Sequence, residues 1–110
     1  MPIELKQLES GIAVVTISGR LVLGKDEERL ETITADLIKQ GQKKFVYDLS
    51  TLDYADSSGI GTLVSCLTNI KKGGGELRMA GASPRMMRLF TMTGVQTLIP
   101  LYPTLAAAVE

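Results

Sequence analysis

An acid, two serines and two glycines in close order make Tyr54-Ala55-Asp56-Ser57-Ser58-Gly59-Ile60-Gly61 the stretch of this chain best supplied for chemistry. A serine hydroxyl can carry a phosphate. At the start of a helix, free backbone N–H groups and the helix dipole would favour that anion by about 0.3–1 kcal/mol at an exposed site. Asp56 or Ser57 can cap such a helix by accepting a bond from an unpaired N–H. Gly59 and Gly61 would leave the surface beside the hydroxyls bare, so that another protein's backbone or active site can come close. On helix-start composition alone, Asp-Ser-Ser-Gly is more often only a cap with two hydroxyls on it.

Most catalytic alternatives close early. Histidine is absent and Cys66 is the lone cysteine, which removes Ser-His and Cys-His pairs and leaves no zinc set. Ala55-Asp56-Ser57-Ser58-Gly59 lacks the first glycine of a nucleophile elbow. Asp48, at a strand end, has neither the neighbouring acids nor the lysine that an aspartyl phosphoacceptor wants. Gly73-Gly74-Gly75 leaves a helix and enters a strand, the reverse of a phosphate-binding loop, and reads as a helix end and turn. Neither a catalytic residue nor a metal or cofactor is expected.

The elements that must position the serines follow from periodicity. Ile60, Leu63, Val64, Leu67 and Ile70 form the apolar stripe of a helix over 57–72, and Phe45-Val46-Tyr47-Asp48-Leu49 ahead of it reads as a strand, with Ser50-Thr51 as a turn. The octet is thus a strand-to-helix corner. Residues 3–8 and 12–18 read as an antiparallel pair, the first an edge strand, with a loop at 20–24. Asp26 is expected to cap a helix through about Gln40, closed by Gly41. A strand at 76–80 leads to a helix capped by Ser83, with Pro84 in its first position and Gly94 beyond its end. A strand at 98–102 and a helix from 104 to 110 complete the order β-β-α-β-α-β-α-β-α.

That order predicts an α/β fold: a small, mixed, mostly parallel sheet covered by about four helices, with right-handed crossovers. In open α/β sheets the working surface lies off the carboxyl ends of the strands. The 56–61 corner follows strand 45–49 and the Ser83-Pro84 corner follows strand 76–80, so both are expected on that edge. Arg85 and Arg88, near the start of the 83–93 helix, are by default a solvated basic face. Met87 and Met92 read as gap-fillers.

Length and charge bound the rest. The 110 residues suit one domain, 1–110, and twelve basic side chains balance twelve acidic ones, so no field directs the chain to nucleic acid. No apolar run approaches bilayer length and the N-terminus has no signal-peptide core, so a cytoplasmic address is expected, with no membrane insertion. Cys66 reads as a semi-buried thiol in a reducing compartment.

Asp56-Ser57-Ser58-Gly59-Ile60-Gly61 resembles the D-S-[ST]-G-[LIV]-G signature of the anti-sigma factor antagonists, small bacterial members of the STAS domain family. The likeness continues in Val15-Thr16-Ile17-Ser18-Gly19, Phe45-Val46-Tyr47-Asp48-Leu49, Gly73-Gly74-Gly75-Glu76-Leu77, Ser83-Pro84, Leu89-Phe90 and Thr93-Gly94. One departure stands out: the family's G-x-[LIV]-D is Gly19-Arg20-Leu21-Val22 here, so an acid near the partner interface becomes Val22. Val22 and Leu23 read equally as contact surface or core.

The resemblance implies a non-enzymatic, partner-switching regulator of sigma-factor-dependent transcription. Its unphosphorylated form would bind an anti-sigma factor that is also a serine/threonine-protein kinase, and phosphorylation would release it. A PP2C-type phosphatase would reset it. The phosphoacceptor carries over to Ser57, with Ser58 as neighbouring candidate, and the partner contacts to Asp56, Ser58, Gly59, Ile60, Gly61 and Ser83. Ile60, between two glycines, is the expected exposed apolar anchor. The alternative is a non-phosphorylated STAS scaffold subunit of a signalling assembly or a membrane transporter complex.

Overall fold

The computed structural model describes residues 3–110. Five strands form one sheet: β1 (Ile3–Gln7), β2 (Ile12–Ile17), β4 (Lys44–Asp48), β6 (Glu76–Ala80) and β7 (Leu101–Tyr102), side by side in that order. β1 runs antiparallel to β2 and the remaining neighbours are parallel, with Ala13 opposite Phe45 and Phe45 opposite Leu77. The helices are α1 (Lys25–Lys39), α2 (Ser57–Lys72), α3 (Pro84–Thr93) and the single turn α4 (Leu105–Ala108). The mixed, mostly parallel sheet with four helices is the architecture read from the sequence.

Alternation along the strands divides the core into two layers. Ala13, Val15, Ile17, Phe45, Tyr47, Leu77 and Met79 face α1, α2 and α3, meeting Leu30, Leu37, Leu63, Cys66, Ile70, Met86 and Phe90. On the opposite face Ile12, Val14, Val46 and Ala80 are covered by Ala108, with Leu105 and Val109 around it. Strands buried on both faces explain the near-continuous apolar runs of β2 and β4. One polar pair crosses the larger layer: the Thr34 and Tyr47 hydroxyls hydrogen-bond at 2.6 Å, beside the buried Cys66 thiol.

Three expectations need correction. Residues 20–24 are not wholly loop, because β3 (Gly19–Leu21) pairs in parallel with β5 (Leu52–Ala55) as a separate two-stranded sheet. The Gly19 N–H donates to the Thr51 carbonyl (2.9 Å) and the Ser18 and Thr51 hydroxyls join at 2.6 Å, so the pairing continues into the turn. Second, α1 is capped by Gly24 and not by Asp26, which falls inside its first turn. The chain enters the helix through a Gly24 φ of 138°, a conformation open to glycine, and this sets the start earlier than the acid. Third, the last strand shrinks to Leu101–Tyr102 behind a 3-10 turn at Val95–Thr97. Pro100 lacks the N–H a ladder needs; its carbonyl accepts from the Met79 N–H at 2.9 Å.

Candidate functional site

The corner at residues 54–61 is built from β5, the start of α2 and the loop after β3. Asp56 is the N-cap of α2: its Oδ1 accepts from the Gly59 N–H at 2.7 Å and its Oδ2 from the Leu23 N–H at 3.4 Å. Its own N–H donates to the Leu21 carbonyl (3.3 Å), and the Ile60 N–H donates to the Asp56 carbonyl (2.9 Å). One carboxylate therefore fastens the helix start to the β3–α1 loop. Ser57 and Ser58, the first two helical residues, keep N–H groups without an intrahelical acceptor.

The side chains in this frame divide sharply. Ser57 is exposed and, among the described residues, its hydroxyl forms no hydrogen bond; Ser58 is half-buried. Gly59 is buried, and a Cβ placed on it would run into the Leu21 carbonyl oxygen. Its missing side chain admits β3, not an incoming protein. Gly61 is exposed and faces open space. Ile60 is not the exposed anchor expected of it: it is only 8% exposed and belongs to the main core, because the α2 stripe turns its position inward.

The second corner behaves as expected. Ser83 caps α3 by accepting from the Met86 N–H at 3.2 Å, Pro84 occupies the first turn, and Gly94 ends the helix with φ 79°. Both corners lie at the carboxyl ends of strands, but the first follows β5 of the two-stranded sheet and not the 45–49 strand, β4, as expected, because the chain makes one more short strand before α2. Asp48 pairs with Ala80 at the ends of β4 and β6, and Arg85 in the first turn of α3 stacks on Tyr54 of β5, 5.8 Å from the ring centroid. Of the sequence-predicted set, Asp56, Ser57, Ser58, Gly59 and Gly61 share the first corner, and α3 carries Ser83 beside it.

Further residues meet at this edge, and the contact of Arg20 is one the sequence did not show. Arg20 stacks on the same Tyr54 ring at 5.0 Å, a contact created by the β3–β5 pairing. Val22 is half-buried, whereas Leu23, beside Asp56, is 77% exposed. Met92 is also 77% exposed and Met87 lies at the surface, so neither fills a gap in the core; Met86 does. The hydrophobic side chains at 86 and 92 look alike in sequence, and only the packing of α3 on β5 separates them.

Two core groups have displaced acidities. Burial pushes the Cys66 thiol above its ordinary value, and burial, reinforced by Cys66, holds the Tyr47 phenol well above its own. Both therefore remain neutral and inert at physiological pH. Among the described residues no cluster of metal-ligating side chains occurs, and no helix is long and apolar enough to cross a membrane.

Comparison with known proteins agrees with this architecture. The STAS domain family profile matches residues 4–108, and the chain belongs to that family. An anti-sigma-B factor antagonist of Bacillus subtilis is 31% identical over 99 residues, covering 90% of this chain and 88% of that protein. Among solved structures, a Thermotoga maritima protein superposes with a TM-score of 0.88 at 18% identity, over 98% of this chain and 92% of that one. The Bacillus cell fate determinant SpoIIAA in its phosphorylated form superposes with a TM-score of 0.76 at 20% identity, over 97% and 96%. At those identities the two structures speak for the fold.

Proposed function

We propose that this chain is an anti-sigma factor antagonist, a single STAS domain over its 110 residues that acts in the cytoplasm by partner switching at Ser57. The observation that carries the reading is the exposed Ser57 hydroxyl on a helix start whose cap is already supplied by its neighbour Asp56. Nothing in the fold depends on that hydroxyl. It can be modified or left bare without disturbing α2. Ser58, half-buried, is the poorer acceptor.

In the unphosphorylated state the corner binds an anti-sigma factor with serine/threonine kinase activity and so frees a sigma factor. Phosphorylation adds about 1.5 to 2 negative charges at pH 7. Asp56 is adjacent and Asp53 is exposed on β5, so the added charge meets repulsion that the α2 dipole offsets only in part. Inside an interface, a dianion without a new cation is disfavoured by desolvation and repulsion together, enough to weaken binding by orders of magnitude. A PP2C-type phosphatase restores the binding form. Asp56, Ser58, Gly61 and Ser83 supply the polar contact surface, while Gly59 and Ile60 act from beneath it.

The test is phosphopeptide mapping of the protein from growing and stressed cells, with fragmentation that separates Ser57 from Ser58, joined to binding assays with the anti-sigma kinase. Expected are a Ser57 phosphate whose occupancy changes, loss of the partner with Ser57→Asp and retention with Ser57→Ala. An unmodified Ser57 in every condition, with Ser57→Asp still bound, would instead leave a constitutive scaffold.

A further inference from the structure

A groove lies on the flank of the corner, between β5 and α3, lined by Tyr54, Arg85, Met86, Arg88, Leu89 and Met92. Its volume is about 180 Å³. Small-molecule sites usually run to about 300–1,000 Å³, so this space suits one large apolar side chain better than a cofactor. The floor is Met86 and Leu89 and the outer wall is the exposed Met92.

The rim is cationic. Arg85 and Arg88 belong to the lining, and Arg20 lies over the Tyr54 ring from the β3 side. Among the described residues the one ion pair is Arg78 with Glu76, so Arg20, Arg85 and Arg88 all lack a carboxylate partner. No acid lines the groove. The chain as a whole is neutral, twelve cations against twelve anions, so two unpaired arginines in the lining of one apolar slot, with a third on its Tyr54 ring, are a local concentration of charge and not a general basicity. Arginine held flat on an aromatic ring keeps its N–H fork free for a carboxylate.

We infer that this groove is a docking site for an acidic segment of a protein partner that inserts one leucine-sized apolar side chain between Tyr54 and Met92 and sets carboxylates on Arg20, Arg85 and Arg88. An apolar anchor seated in a pocket inside a polar rim is the usual anatomy of a protein interface. Tyr54 stands three residues before Ser57, so a segment seated here reaches the corner without a long bridge. The inference rests on the reading of the carboxyl edge as a protein-binding surface and adds the chemistry of what binds.

The experiment is a nitrogen-15 NMR titration of the protein with three short peptides. One is acetyl-Glu-Asp-Leu-Glu-Glu-amide, the second has alanine for leucine, and the third has lysine for every acid. Expected is a saturable shift at Tyr54 and along α3 with the first peptide, about tenfold weaker with the second and absent with the third. Arg85→Glu and Met92→Glu, both at exposed positions, should each weaken the first peptide by about tenfold or more while leaving the remaining amide spectrum in place. Equal shifts from all three peptides, tighter binding of a single-stranded DNA oligomer, or variants that bind as the parent does would overturn the groove. The switch is judged separately: a Ser57→Asp protein that keeps its anti-sigma partner refutes the switch and leaves the titration standing. A flat titration refutes the groove and leaves the switch standing.

Discussion

Gly59→Ala is the sharpest test of how the corner is assembled, because the two glycines of one hexapeptide are assigned opposite roles. A Cβ at Gly59 meets the carbonyl oxygen and carbon of Leu21 and, at 3.2 Å, its Cγ. Backbone atoms of β3 cannot rotate aside, so α2 must move away from β3 or the strand must shift. Either movement stretches the bond from the Asp56 N–H to the Leu21 carbonyl and the one from the Leu23 N–H to Asp56. Overpacking of this kind costs about 1–3 kcal/mol, and a weakened hydrogen bond adds about 0.5–1.5 kcal/mol. Better helix propensity returns about 1 kcal/mol, leaving a net loss near 2 kcal/mol. For a chain of this size that lowers the melting temperature by roughly 8–12 °C. Gly61→Ala is the control, since a Cβ there meets nothing within 4 Å; it should be neutral or gain up to about 1 kcal/mol. Both variants are followed by thermal and urea unfolding. A Gly59→Ala protein as stable as its parent, or an equal loss in Gly61→Ala, would refute the close approach of β3 to α2.

Tyr47→Phe strands the Thr34 hydroxyl in the core and should cost about 1–2 kcal/mol in urea unfolding, with much of that recovered in the Tyr47→Phe, Thr34→Val double variant. Asp56→Ala removes a cap that accepts from two backbone donors and should cost about 1–2 kcal/mol, whereas Asp56→Asn should lose less; equal losses would point to charge in place of capping. Alkaline stability provides a further check. Cys66 and Tyr47 are held neutral in the native core above their ordinary values of 9.0 and 10.0, while the unfolded chain ionises at those values. Stability is thus fully present below the ordinary thiol value and falls as pH rises past it, and Cys66→Ala should flatten the start of that fall.

What the sequence revealed was mainly local. The α2 stripe, the Asp56 and Ser83 caps, Pro84 and the Gly94 stop each depend on residues within a turn or two of one another, and each stands where the pattern placed it. The β3–β5 pairing does not: each strand has three or four residues, too few to show alternation, and the partners are separated by the whole of α1 and β4. Everything that depends on this pairing was hidden with it, including the reason for Gly59 and the stacking of Arg20 on Tyr54. Ile60 failed for a different reason. Its place between two glycines suggested exposure, but its helical phase, shared with Leu63 and Leu67, decided for the core. The serines themselves were legible as types and spacing; that Ser57 is exposed and Ser58 half-buried depended on where the cap fell.

The small β3–β5 ladder also bears on speed. It pins the loop before α1, the strand before α2 and the helix start to one another through backbone bonds and the Asp56 carboxylate, so the fold itself shapes the surface around Ser57. Docking on such a preorganised frame spends little of its interaction energy on ordering loops. Under the proposed switch, association would run at the pace of oriented encounter, without a rearrangement step, and a phosphate on Ser57 would act on the lifetime of the complex rather than on its rate of formation.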